Sequence, residues 1–189
     1  MLCIDSQHRT PADALSHLRG VKMKKQKVSV PPVHDQKGRG STNLMFDLYL
    51  DAESNVKLAF SPGRLHWTLR NAIRGVGMTQ RKSLLDPWET KLTGPASFFH
   101  SLEESHVRIE TWPEDMHVQG EVQLCNYSRN NTEATWRLAW FIIDTLNPAR
   151  GQILPITRGP NAPLGTHSVI DWKRSDSKEI IRQLCTVMV

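Results

Sequence analysis

Residues 43–50, "NLMFDLYL", set Leu44, Phe46, Leu48 and Leu50 against Met45, Asp47 and Tyr49. An apolar side chain at every second position belongs to a half-buried strand. The apolar side chains of such a strand need a cover, and the rest of the chain offers helices to supply it. Ser61-Pro62 opens a helix with Leu65, Leu69 and Ile73 along one side, closed by Gly75 and Gly77. The strongest helix runs from Thr132 to Leu146, with Trp136, Ala139, Trp140, Ile143 and Leu146 on its apolar side. Asn130 or Asn131 can cap it, and Asn147-Pro148 stops it.

Further strands are predicted at 96–102, 105–112, 117–125 and in "QILPIT", the middle two parted by Pro113 and a polar turn. Residues 79–95 read as irregular. A short helix is expected after Thr10-Pro11, ending at Gly20, and a last one through Ile180, Ile181, Leu184 and Val187. Strands and helices in this order predict an α+β two-layer sandwich, a mainly antiparallel sheet with helices packed on one face. The expected division is an N-terminal extension and basic linker over 1–41, partly disordered, a main domain over 42–160, and a C-terminal extension over 161–189 that ends in a helix.

At 189 residues, 39% hydrophobic and 23% charged, the chain has a globular composition. No apolar run approaches the roughly 18–20 residues that span a bilayer, and acids and His8 interrupt the start where a secretory segment would be apolar. Much of the net charge of +5 lies in "VKMKKQKVSVPPVHDQKGRG". Without interleaved aromatics that tract reads as a solvated linker rather than a nucleic-acid or lipid contact. Cys3, Cys125 and Cys185 are odd in number and widely spaced, which suggests a reducing cytoplasm rather than a disulfide framework. His100 and His117 sit in no metal-ligand pattern, and no metal is expected.

One segment carries more than fold. "GPASFFHSLEESHVRIETWPE" is followed by a cysteine twenty residues after its Glu-Ser-His serine. It resembles the prokaryotic-type S-adenosylmethionine decarboxylases, whose segment runs Gly-Val-Ser-Gly, Glu-Ser-His, then His-Thr-Trp-Pro-Glu and Thr-Cys-Gly. The resemblance covers about residues 42–159. It implies a proenzyme that cuts itself at Glu104-Ser105, with Ser105 Oγ attacking the Glu104 carbonyl and Ser105 ending as a pyruvoyl group. That ketone would form a Schiff base with the substrate amine and act as the electron sink when CO2 leaves. By the same resemblance Cys125 is the proton donor, Ser97 assists processing, and Glu114 holds the ribose hydroxyls. The implied substrate is S-adenosylmethionine, feeding polyamine (spermidine) synthesis, and the implied assembly is at least a homodimer. Nucleic acid and membrane are not expected as partners.

The departures define the alternatives. Glu110 stands where the family keeps the histidine that acts as base in processing, and a carboxylate is weaker there by roughly 3 kcal/mol at most. Burial beside Glu114 would raise its basicity and recover much of that. On a straight strand Ser105 and Glu110 face opposite sides, so they meet only if the chain bends near Ser105. "DMH" at 115–117 replaces an aromatic-glycine pair, Asn126 replaces a glycine, and "LLDPWETKL" lacks a Phe-His pair. Two other readings follow: decarboxylation of arginine or ornithine on the same scaffold, or a relative that no longer processes and acts as a binding or regulatory protein.

Overall fold

The computed structural model describes residues 40–88, 93–159 and 169–175. Both terminal helices expected from the sequence, and nearly all of the basic linker, lie outside the described residues. The core of the fold is a seven-stranded sheet in the order β2-β3-β4-β5-β1-β6-β7. Its strands are β1 (Ser41–Tyr49), β2 (Gln80–Pro87), β3 (Ala96–Leu102), β4 (Ser105–Trp112), β5 (His117–Cys125), β6 (Arg150–Arg158) and β7 (Ile170–Lys173), and every neighbouring pair is antiparallel. Among the described residues, three helices accompany it: α1 (Val56–Ala59), α2 (Pro62–Gly75) and α3 (Thr132–Leu146). The protein is the α+β sandwich that the alternation predicts, and no described helix is long and apolar enough to cross a membrane.

Register explains the layering. β1 pairs Leu44 with Val122, Phe46 with Gly120 and Leu48 with Val118, while β4 pairs Val107 with Val122 and Ile109 with Gly120. Paired residues share a face, so these side chains form one apolar surface, and all but Gly120 are buried hydrophobics. Leu65, Leu69 and Ile73 of α2 and Leu138, Ala139, Ile143 and Leu146 of α3 complete the core against it. Gly120 is needed at its place. A Cβ there would lie 2.4 Å from Phe46 Cζ and 2.6 Å from Ile109 Cδ1, so the missing side chain makes room for the Phe46 ring. Gly151 makes the same kind of room for Trp172, where a Cβ would approach the indole to 2.5 Å.

Three elements depart from the expectation. β2 lies within the stretch read as irregular. It is an edge strand whose side chains are mostly exposed, so neither face imposes a period, and Arg81, Lys82, Asp86 and Pro87 give it the composition of a protected edge. The four-residue helix α1 is too short to show a periodicity. β7 falls in the segment expected to be an extension, and it adds an edge strand beside β6. Arg174 follows it and donates to Asp51, Ser54 Oγ and the Asn147 carbonyl, tying that edge to the loop after β1.

Between α2 and the sheet, His66 and His100 stack with ring centroids 4.9 Å apart. His100 is fully buried, its Nδ1 is 3.1 Å from Gln80 Oε1, and its Nε2 has no partner. Burial, and then the nearby His66 and Arg70, push the His100 imidazole down to about 4. The folded protein therefore holds it neutral while the unfolded chain protonates it near 6.5. Stability from this group is complete above 6.5 and is lost as pH falls through about 4, a difference on the order of 3 kcal/mol. Urea midpoints should fall between pH 6.5 and 4, and His100→Gln should flatten that slope. Gly120→Ala should cost about 1–3 kcal/mol in the same assay at neutral pH.

Candidate active site

The β3–β4 hairpin closes on the pair Leu102 and Ser105, leaving a two-residue loop of Glu103 and Glu104. Such loops favour Asn-Gly or Gly-containing pairs, because the twist of the strands demands positive φ. With two glutamates in the loop, the unusual backbone falls on Ser105, at φ 149°. A non-glycine residue held there stores on the order of 1–3 kcal/mol and stays only if its surroundings fix it. They do. Glu103 N–H donates to the Thr79 carbonyl at 2.9 Å, and Cys125 N–H donates to the Glu104 carbonyl at 2.9 Å.

The Glu104 side chain is held as well. Ser128 Oγ donates to one carboxylate oxygen; the Ser128 amide, at 3.4 Å, and Asn131 Nδ2, at 3.0 Å, donate to the other. These bonds, the Ser128 hydroxyl first, hold the Glu104 carboxyl below its usual range. On the far side of the same peptide bond, the Cys125 thiol donates to Ser105 Oγ at 3.6 Å. Register with Leu124 alone would turn Ser105 toward the helices, and its positive φ accompanies the contact with Cys125. One end of β4 and β5 thus gathers a strained peptide bond, a hydroxyl, a thiol and an N–H on the carbonyl.

Ser97 and Glu110 are brought to each other, as register partners on β3 and β4, but not to Ser105. The β4–β5 register runs unbroken from Ser105 to Trp112. Five strand steps of about 3.3 Å therefore separate Glu110 from Ser105 by roughly 16 Å between Cα atoms. No bend shortens that distance, so within one chain Glu110 cannot serve Ser105 as a base. Its carboxylate instead accepts from Arg108 and Gln119, beside a cavity of about 140 Å³ that Met45, Asp47 and Glu121 also line. Ser97 Oγ accepts from Trp88 Nε1 at 3.0 Å, and Trp88 packs edge-on against Trp112. Glu114 lies past Trp112 in the 3-10 turn Pro113–Asp115, beyond the far end of β4. His106 faces Phe99 and Glu121. Among the described residues, no group of three or more His, Cys, Asp or Glu forms a metal site.

No motif in the sequence marks Ser128, and Asn131 stands there only as a candidate helix cap. Asn131 does occupy the position before α3, yet its side chain makes no capping bond. The only signal in the sequence is the run "NYSRNN", six residues without an aliphatic side chain between the cysteine and the helix.

No protein-family model matches this sequence, and no curated protein sequence matches it. Among solved structures, the adenosylmethionine decarboxylase from Aquifex aeolicus VF5 superposes with a TM-score of 0.52 at 22% identity, over 70% of this chain and 98% of that one. The two proteins share a fold. Removing the Glu110 charge leaves Arg108 half in water, with no charge stranded in the core. Glu110→Gln should accordingly stay within about 1 kcal/mol of wild type in thermal unfolding.

Proposed function

We propose that this chain is the proenzyme of a pyruvoyl-dependent decarboxylase acting on S-adenosylmethionine. The observation that carries the reading is the Glu104-Ser105 bond, with a positive φ on its serine, an N–H on its carbonyl and a thiol 3.6 Å from its hydroxyl. In self-cleavage, Ser105 Oγ attacks the Glu104 carbonyl carbon and its proton passes to the departing Ser105 nitrogen, converting amide to ester. The Cys125 N–H, 2.9 Å from the carbonyl oxygen, stabilises the oxyanion that forms on the way. Loss of the Ser105 Cα proton then breaks the Cβ–Oγ bond, and its electron pair leaves with the new Glu104 carboxylate. Water replaces the nitrogen of the resulting dehydroalanine, ammonia departs, and a ketone remains at residue 105.

That ketone supplies a covalent hold on a substrate amine and a sink for the electrons released with CO2. Cys125, donating toward the Ser105 position, is the proton source for the carbon left behind. Ser97 and Glu110, the expected processing helpers, stand too far along the sheet to act on this bond from the same chain, and Glu114, the expected ribose ligand, lies farther still, in the turn beyond β4. In this reading a second copy supplies them, which makes a homodimer part of the proposal. A second reading, a chain that stays intact and binds without catalysis, is favoured by one observation: Glu110 stands where the resembled family keeps its histidine and is already engaged by Arg108 and Gln119.

A denaturing gel of the purified protein separates the two. The enzyme reading expects fragments ending at 104 and beginning at 105, and Ser105→Ala should leave one chain. Cys125→Ala should cleave but release CO2 from S-adenosylmethionine at least about a hundredfold more slowly, the lower range for loss of a general acid. A wild-type chain that remains whole after long incubation sinks self-processing. Release of CO2 from arginine or ornithine, and none from S-adenosylmethionine, would reassign the substrate.

A further inference from the structure

We propose that Asn131 is a positioning residue for the self-cleavage described above, fixing the Glu104 side chain and Cys125 together so that the Cys125 N–H stays on the scissile carbonyl. The inference rests on that reading of Glu104-Ser105. Asn131 is 1% exposed. Its Nδ2 donates to the Cys125 carbonyl at 2.6 Å and to Glu104 Oε2 at 3.0 Å, so both amide protons are used. Its Oδ1 accepts from Arg129 Nε at 2.8 Å, and Arg129 is anchored by donating to the Gly77 carbonyl at 3.0 Å. With a guanidinium on one side and a carboxylate and a carbonyl on the other, the amide has one satisfactory orientation.

Helix capping does not account for this arrangement. The start of α3 is served without the Asn131 side chain: Thr132 N–H donates to Asn130 Oδ1 at 3.0 Å, and Thr135 N–H and Oγ1 both donate to the Asn131 carbonyl at 2.9 Å. The Glu104 side chain, on an exposed turn, would be well solvated without help. A buried amide reaching out to it does something else. It places the peptide group between two anchors, the carboxylate held by Asn131 and Ser128 and the carbonyl oxygen held by Cys125 N–H. Because Asn131 also grips the Cys125 carbonyl, the residue that carries both the N–H donor and the thiol is tied into the same clamp. The charged side chains that meet Asn131 are Glu104 and Arg129.

Asn131→Asp is the test, since it keeps size and the Arg129 bond while replacing two donors with an acceptor facing Glu104 and the Cys125 carbonyl. Self-cleavage at pH 8 should slow by about tenfold or more, the scale of one lost hydrogen bond to a charged group. The ratio of wild-type to variant rates should shrink as pH falls from 8 to about 5.5, where two facing carboxylates begin to share a proton. Adding Glu104→Gln should restore much of the rate, because the Gln amide can donate to the new carboxylate. Glu104→Ala, which removes the carboxylate that Asn131 grips and leaves Asn131 in place, should slow cleavage by about threefold or more and carries the test if Asn131→Asp does not fold. A variant within twofold of a cleaving wild type overturns the positioning role. So does a deficit that is equal at every pH and untouched by Glu104→Gln, because that describes general damage to the fold. A wild-type chain that never cleaves overturns the parent reading and this one with it.

Discussion

The hydrogen bond from the Cys125 amide to the Glu104 carbonyl joins the sheet to the candidate chemistry. It exists because β4 and β5 pair without a slip from Trp112 back to Ser105, which brings the end of β5 level with the hairpin turn. Move the register by one residue and every side chain on β4 changes face; the buried Val107 and Ile109 would turn to the open side. The hydrophobic core therefore sets the register, and the register sets which N–H lies on the Glu104 carbonyl. Gly120 belongs to the same chain of causes, since it lets Phe46 and Ile109 pack at the middle of that pairing.

Most of the architecture was legible because the chain keeps strict periods wherever a face is buried. The predicted bounds 105–112, 117–125 and Thr132 to Leu146 coincide with β4, β5 and α3. The exposed edge β2 and the short β7 were not legible, since an edge with little burial leaves no alternation to read. The site divides in the same way. Ser105 and Cys125 were identified by motif, and the fold brings them into contact. Glu110 and Ser97 were identified by the same motif, yet the unbroken strand keeps them about five residues away. Spacing in a sequence fixes distance only after the strand is known to run straight.

Asn131 escaped the reading for another reason. An asparagine just before a helix has an ordinary explanation as a cap, and nothing local says that its amide turns back toward the strand end. Only the closure of the β3–β4 hairpin against the loop after β5 brings Glu104 within its reach. Residues far apart in the chain, here 104 and 131, meet through the sheet rather than through any pattern on a single element.

The open side of the sheet carries the rest of the polar chemistry: Glu110, Arg108, Glu121 and the Asp47–His117 pair, with Met45, Phe99 and Leu84 exposed among them. Self-cleavage, however, turns on Ser105 alone. Intact-mass measurement of the purified protein before and after hydroxylamine treatment tests it most directly. Conversion of Ser105 to a ketone predicts a fragment beginning at residue 105 that lacks a free terminal amine and gains one oxime. A fragment with an ordinary serine amine at its start, or a single uncut chain that takes up no hydroxylamine, would contradict it.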